Sequence, residues 1–365
     1  MLGGNNASST ANLIVVSGQG GGIYIPNSIT FDNIGDVDIS NNAAMAGSFA
    51  NNLGSGKGIG ADAVGGGVYG SGFMTFSNQG NVTVSSNSAT GGNNIQADAN
   101  ADVSAQGGGL YSSFNTIDFQ NTGSRTLSNN VATAGGGAQS TNGDVDASAA
   151  GGAIYGTGAV SFQGDPNVVA DGTFNANAVY GGGNAQAVNG TVKASAQGGA
   201  IYSGGALTFS NRGDSTFTNN SVIAGSFAIG QAVDVSAKGG GVYAASTFTA
   251  TSLAGEISFV QNTLATGFQA TSSGGDIDAT AQGGGLYVQG SALFGNGLSS
   301  IFDQNTAIGN SNVSATGGDA NVYAQGGGLC GGSSITFSSA SDVTISNNIA
   351  TAGIDARGDH VNAYA

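Results

Sequence analysis

Hydrophobic positions recur along this chain on two scales. Locally, apolar and polar residues alternate in runs such as Val145-Asp146-Ala147-Ser148-Ala149 and Ile277-Asp278-Ala279-Thr280-Ala281, the period of two that turns one face of a strand inward and the other to water. Over longer distances, a Gly-Gly pair followed after one small residue by an aliphatic anchor appears at Ile23, Val68, Leu110, Ile154, Ile201, Val242, Leu286 and Leu329, spaced 45, 42, 44, 47, 41, 44 and 43 positions apart. Tyrosine follows every anchor except the last, where Cys330 stands. A second series alternates with the first, an apolar residue three positions before asparagine: Ile39/Asn42, Val84/Asn87, Leu127/Asn130, Phe174/Asn177, Phe217/Asn220, Phe259/Asn262, Phe302/Asn305 and Ile345/Asn348. Two interleaved series with one period mean a repeat architecture.

A helical repeat of this length needs amphipathic stretches at 3.6-residue spacing, and none runs between so many glycines. The expected fold is therefore all-β, a right-handed parallel β-helix. Anchor and asparagine divide the period of about 44 residues into halves of roughly 22, a suitable length for one coil. This predicts two coils per repeat, some 16 or 17 coils, and a rod on the order of 80 Å long at about 4.8 Å per coil. Phenylalanine lies eight positions after the anchor at Phe31, Phe76, Phe162, Phe209, Phe294 and Phe337; Phe119 is one position late, and Ala250 takes the place with Phe248 nearby. These rings are expected to stack along the interior, because one coil alone cannot bury its apolar face. The Gly-Gly pairs are expected to supply positive φ and close approach. The asparagines are expected to sit in the left-handed region and to stack as an amide ladder.

Composition adds that residues 1–365 form one repeat region of about eight repeats, since no proline-rich linker or change in composition interrupts it. The last residues, Asn362 to Ala365, match Asn321 to Ala324, which lead into a Gly-Gly element. The chain thus reads as a segment of a longer one. Its start has neither the basic nor the apolar part of a signal peptide, and its longest aliphatic run is Leu13 to Val16, too short to cross a membrane. Twenty-one acidic against 6 basic residues give a net charge of -15. Lys57, Lys193, Lys238, Arg125, Arg212 and Arg357 are too scattered to neutralise phosphates, so neither nucleic acid nor an anionic membrane surface is an expected partner. Cys330 forms no internal disulfide and reads as a wall residue in the place of tyrosine.

Candidate chemistry is sparse. One histidine, His360, and one glutamate, Glu256, leave little for a nucleophilic triad. Aspartates stacked in adjacent coils could meet the carboxylate spacing of glycoside hydrolysis by accident, which keeps a polysaccharide lyase or glycosidase as the alternative to a non-catalytic protein. Gly-Asp-Val-Asp at 35–38 and 143–146 and Gly-Asp-Ile-Asp at 275–278 suggest calcium, but they recur only sporadically, so they read as solvated strand-edge aspartates. No catalytic residue, metal or cofactor is expected. Arg357-Gly358-Asp359 spells a tripeptide similar to integrin-binding loops, a possible receptor contact. The segments Asn51 to Ala63 and Thr90 to Ala101 read as longer corner loops.

The paired signatures resemble the GGAI and FxxN repeats of the chlamydial polymorphic outer membrane proteins. GGAI is literal at Gly151-Gly152-Ala153-Ile154 and Gly198-Gly199-Ala200-Ile201; FxxN is literal at Phe49 to Asn52, Phe174 to Asn177, Phe217 to Asn220, Phe259 to Asn262 and Phe302 to Asn305. The other six Gly-Gly elements carry glycine third, as relaxed forms. The resemblance covers nearly the full chain. It implies a secreted autotransporter passenger, folded as a β-helix and displayed on the cell surface as an adhesin or structural stalk. Its partner would be a host cell-surface receptor or glycan. A C-terminal β-barrel outside this chain would tether it to the Gram-negative outer membrane, so this segment itself would not insert.

Overall fold

The computed structural model describes residues 2–3, 6–9, 13–47, 49–52, 54, 56–165, 167–251, 255–295, 297–338, 342–353 and 355–365. Among them the chain forms only short strands, most of three to six residues, and no helix. All pair in parallel into six sheets of eight or nine strands, the layout of a right-handed parallel β-helix. We number the sheets in the order the chain meets them after a Gly-Gly pair. In the second repeat they contain Val68–Gly70, Met74–Phe76, Val82–Ser85, Ser88–Gly91, Ile95–Ala97 and Ala101–Gln106.

Strand register corrects the expected coil size. Val68 pairs with Ile23 and Leu110, and Val84 pairs with Ile39 and Leu127, each one full period away. One coil therefore takes one whole repeat, not half of one. With nine strand layers at most, the stack is about 40 Å long rather than 80 Å. The half-period seen in the sequence is real but has another meaning. Sheets 1 to 3 enclose one apolar column, made of Phe, Ile, Leu and Val, and sheets 4 to 6 enclose a separate one made largely of Ala and Val. Each half of about 22 residues builds one lobe of a two-lobed cross-section.

Between the lobes lies a waist, where the chain crosses once at the asparagine corner, from sheet 3 to sheet 4, and once at the Gly-Gly corner, from sheet 6 to sheet 1. These crossings touch. A Cβ on Gly66 would fall 2.3 Å from the Ser88 carbonyl oxygen and 2.1 Å from that of Gly108 in the next coil. No side chain fits in that gap, which is why the glycines keep register.

Both phenylalanine series stack, the one after the anchors as expected and the FxxN one in addition. Phe31, Phe76, Phe119, Phe162 and Phe209 lie 4.6 to 4.8 Å apart between ring centroids, and Phe119 is in register despite its late position. Phe174, Phe217, Phe259 and Phe302 form a second stack on sheet 3, edge-on to the first at Phe162–Phe174 and Phe294–Phe302. The irregular repeat is a compensated exchange. Phe248 pairs with Leu207 and Ala250 with Phe209, so large and small trade places on one buried face.

Candidate functional site

The repeat-defining residues build the waist. The first glycine of each element has φ between +58° and +72°, as at Gly151 and Gly198 with +64°. Ile154 and Ile201 are buried beneath it. At the opposite corner the left-handed residue is not the repeat asparagine. It is the residue before it, Asn41, Ser86, Asn129, Ala176, Asn219, Gln261, Gln304 or Asn347, with φ of +52° to +58°. Four of these are asparagine, yet serine, alanine and glutamine fill the others, so burial of the following amide sets the corner more than backbone preference does.

That amide makes a continuous ladder. Each Nδ2 donates to the Oδ1 of the next asparagine at 2.9 to 3.0 Å, from Asn42 through Asn87, Asn130, Asn177, Asn220, Asn262 and Asn305 to Asn348. The second Nδ2 hydrogen goes to the carbonyl that opens the preceding FxxN, as from Asn220 to Phe174 at 2.9 Å and from Asn262 to Phe217 at 2.9 Å. The backbone N–H of Asn177 donates to Asn220 Oδ1 at 3.0 Å. Two donors and two acceptor positions are thereby used on every internal asparagine, which is what full burial demands.

A further asparagine column escaped the sequence reading. Asn33, Asn78, Asn121 and Asn211 each donate Nδ2 to carbonyls of the turn that follows sheet 2. Their signal is a Phe-x-Asn spacing, as in Phe76 and Asn78. Arg125, fully buried in this lobe, donates Nε to Asn121 Oδ1 at 2.8 Å and Nη2 to the Gln163 carbonyl at 2.9 Å. Burial lowers its pKa to about 10, and its strand partner Gly172 leaves room for the long side chain.

The Gly-Asp motifs also work between coils. Asp36, Asp144 and Asp276 accept the backbone N–H of Asn81, Thr191 and Asp319 in the next coil at 2.7 to 2.9 Å. Solvated they are, but each also caps its neighbour. Among the described residues no three His, Cys, Asp or Glu side chains gather as a metal site would require. The outward charged side chains of sheet 6 form a column, the carboxylates Asp102, Asp146, Asp234 and Asp278 with Lys193 in the middle, one per coil. Partial desolvation, then like charge on neighbouring coils, raises the carboxyl pKa of Asp102 and Asp146. These side chains stand exposed on an open strand face.

Tyrosines 24, 69, 111, 155, 202, 243 and 287 stack on the outer face of sheet 1 with centroids 4.6 to 5.3 Å apart. Their faces cover one another, so only edges and hydroxyls remain for a ligand. Cys330 continues this column as the partner of Tyr287. Arg357 ends a strand of sheet 5 opposite Ser314, and Asp359 donates its N–H to the Gly318 carbonyl at 3.0 Å. Gly358 lies so close that a Cβ there would sit 3.1 Å from Gly318 O. The tripeptide is therefore flush with the wall, with the Arg357 guanidinium 3.4 Å from Asp355 and His360 Nδ1 2.9 Å from Asp319. The segment read as a loop from Thr90 to Ala101 holds the strand Ile95–Ala97, and Asn51 to Ala63 is strand at both ends. Leu53 and Ser55 within it lie outside the described residues. Comparison with protein-family models, with curated proteins and with solved structures returned no match.

Proposed function

We propose that this chain is the passenger region of an autotransporter, secreted and displayed on a Gram-negative cell, where it acts as a non-catalytic adhesin or structural stalk. The observation that carries the reading is the unbroken asparagine ladder through every coil from Asn42 to Asn348. It holds the coils in one register, so an outward feature kept in column, such as the tyrosines of sheet 1, is repeated along the wall. Repetition suits many weak contacts made at once, whose combined strength exceeds that of one contact. A stack about 40 Å long with a whole repeat in each coil favours presenting a broad surface over reaching far. The alternating GGAI and FxxN motifs support the passenger assignment, with the polymorphic outer membrane proteins as the proposed kin and a host receptor or glycan as the proposed partner.

The experiment is attachment of beads coated with the purified chain to cultured epithelial cells. Binding well above albumin-coated beads is expected, without release of reducing sugar from added polysaccharides. Equal binding of both bead types would overturn the adhesin reading. The carboxylate column favours a carbohydrate-active enzyme as the second reading, because Asp102 and Asp146 are strand partners about 4.8 Å apart along the axis. Sugar release that disappears in Asp102→Asn would decide for that alternative.

A further inference from the structure

The outer face of sheet 5 differs from its surroundings. Its strands Phe49–Asn52, Ile95–Ala97, Ala138–Ser140, Ala185–Ala187, Phe227–Gly230, Gln269–Ser272 and Asn312–Ala315 carry no charged residue, although six of the nine strands of sheet 6 beside it do. Two open depressions lie along this face. One of about 190 Å³ is bordered by Gln96, Gln139, Gln186 and Val188, the other of about 290 Å³ by Gln269, Thr271, Asn312 and Ser314 and, at its far end, by Asp355 and Arg357, which pair with each other. Only the strand Phe227–Gly230 separates them. With that strand they make a furrow of six uncharged strands, from Ile95–Ala97 to Asn312–Ala315, about 24 Å along the axis and bounded at one end by the Asp355–Arg357 pair.

Two properties of this furrow point to a ligand. Some exposed amides pair from coil to coil, as Gln282 does with Gln325 at 2.8 Å and Gln261 with Gln304 at 3.1 Å. Here Gln96, Gln139, Gln269 and Asn312 are exposed and their side chains bond to no described residue. In addition, Phe227 and Phe268, 48% and 56% exposed, flank Gln269 as its strand partner and its chain neighbour. Neither ring is stacked on another described aromatic ring, in contrast to the tyrosine column. Amides that donate and accept, on five of these six strands and with two exposed aromatic rings beside Gln269, match a polymer that repeats hydroxyls and apolar ring faces.

We propose that the furrow of sheet 5 binds a linear, uncharged polysaccharide lying parallel to the coil axis. This rests on the adhesin reading and names its ligand class and its surface. With no net positive charge the furrow disfavours acidic polymers and nucleic acid, whose binding needs basic groups. An extended peptide has no strand edge to pair with along the furrow, because each inner strand is hydrogen-bonded on both sides.

The test is affinity electrophoresis and titration calorimetry of the whole chain with barley β-glucan, galactomannan and, as the acidic probe, polygalacturonate. At least one neutral polymer is expected to bind, with no loss between 0.05 and 0.5 M salt on the order expected for uncharged contacts. The triple variant Gln96→Ala, Gln139→Ala, Gln186→Ala, and separately Phe227→Ala with Phe268→Ala, should each weaken binding at least ~10-fold while keeping the wild-type circular dichroism. Ser104→Ala with Ser148→Ala on sheet 6 should leave it unchanged. No binding to either neutral polymer, preference for polygalacturonate, or equal binding by the furrow variants overturns the proposal. Bead attachment to cells that survives in the furrow variants would overturn this surface alone and leave the adhesin reading standing.

Discussion

At the scale of single residues, register matters more than composition, because the same residue type does different work in and out of column. Asn220 accepts from the backbone and side chain of Asn177 and donates to Phe174 and Asn262. Asn220→Ala strands several buried polar groups and should cost about 3 kcal/mol or more. Asn220→Asp should cost at least as much, since a carboxylate has no donor for the Phe174 carbonyl. Urea denaturation of both variants checks this, and a midpoint equal to wild type in either would refute the ladder's role. Glycines divide the same way. Gly240→Ala would place a Cβ 2.1 Å from the Gly284 carbonyl oxygen, whereas at Gly274 nothing lies within 4 Å. Thermal unfolding should show a large loss for the first and a change within about 0.5 kcal/mol for the second.

At the scale of elements, packing is set by columns that cross many strands. Phe248→Ala opens a cavity in the aromatic lobe and should cost about 3–5 kcal/mol. Phe248→Leu combined with Ala250→Phe rebuilds the pattern of Leu207 and Phe209, and should stay within about 1.5 kcal/mol of wild type. A double variant as unstable as Phe248→Ala would mean that the exchange is not a register effect. Electrostatics act on strand faces in the same columnar way. Desolvation first, and then Asp62 and Asp144, raise the Asp102 carboxyl above its ordinary value of 3.8. Between the unfolded and the raised folded pKa the native state holds more protons, so stability increases as pH falls through the folded value. Asp102→Asn should therefore melt higher than wild type at pH 7. That advantage should vanish once the pH drops below the ordinary carboxylate range, and melting curves at both pH values test the sign.

For the whole molecule, the repeat is the unit of folding. Removing residues 199–239 joins Gly198 to Gly240 and deletes one coil, consistent with the pairing of Ile201 and Val242. A folded, shorter β-helix is expected, because each coil contacts only its neighbours. Removing residues 178–198 instead takes away one lobe of one coil and leaves its neighbours in sheets 4 to 6 without a partner between them. Far-ultraviolet circular dichroism should show β-structure kept in the first deletion and lost in the second. Equal folding of both would mean that half a period is a coil after all.

Sequence alone determined the strand class, the parallel solenoid and the alignment of each series in a column along the axis, with its amides and rings stacked. All of these follow from periodicity, since residues a constant distance apart in a solenoid must lie above one another. It also showed which positions demand glycine, but not what those glycines touch. The number of coils per period, the second asparagine column, the interior place of Arg125 and the uncharged furrow of sheet 5 came only from the tertiary structure. Periodicity reports spacing along the chain and is silent on how the path closes across the axis. A half-period of about 22 residues fits a small closed coil and one lobe of a larger coil equally well. Contact between the Gly-Gly corner and the asparagine corner decided for the lobe, because two backbones meeting at a waist leave no room for a side chain between them.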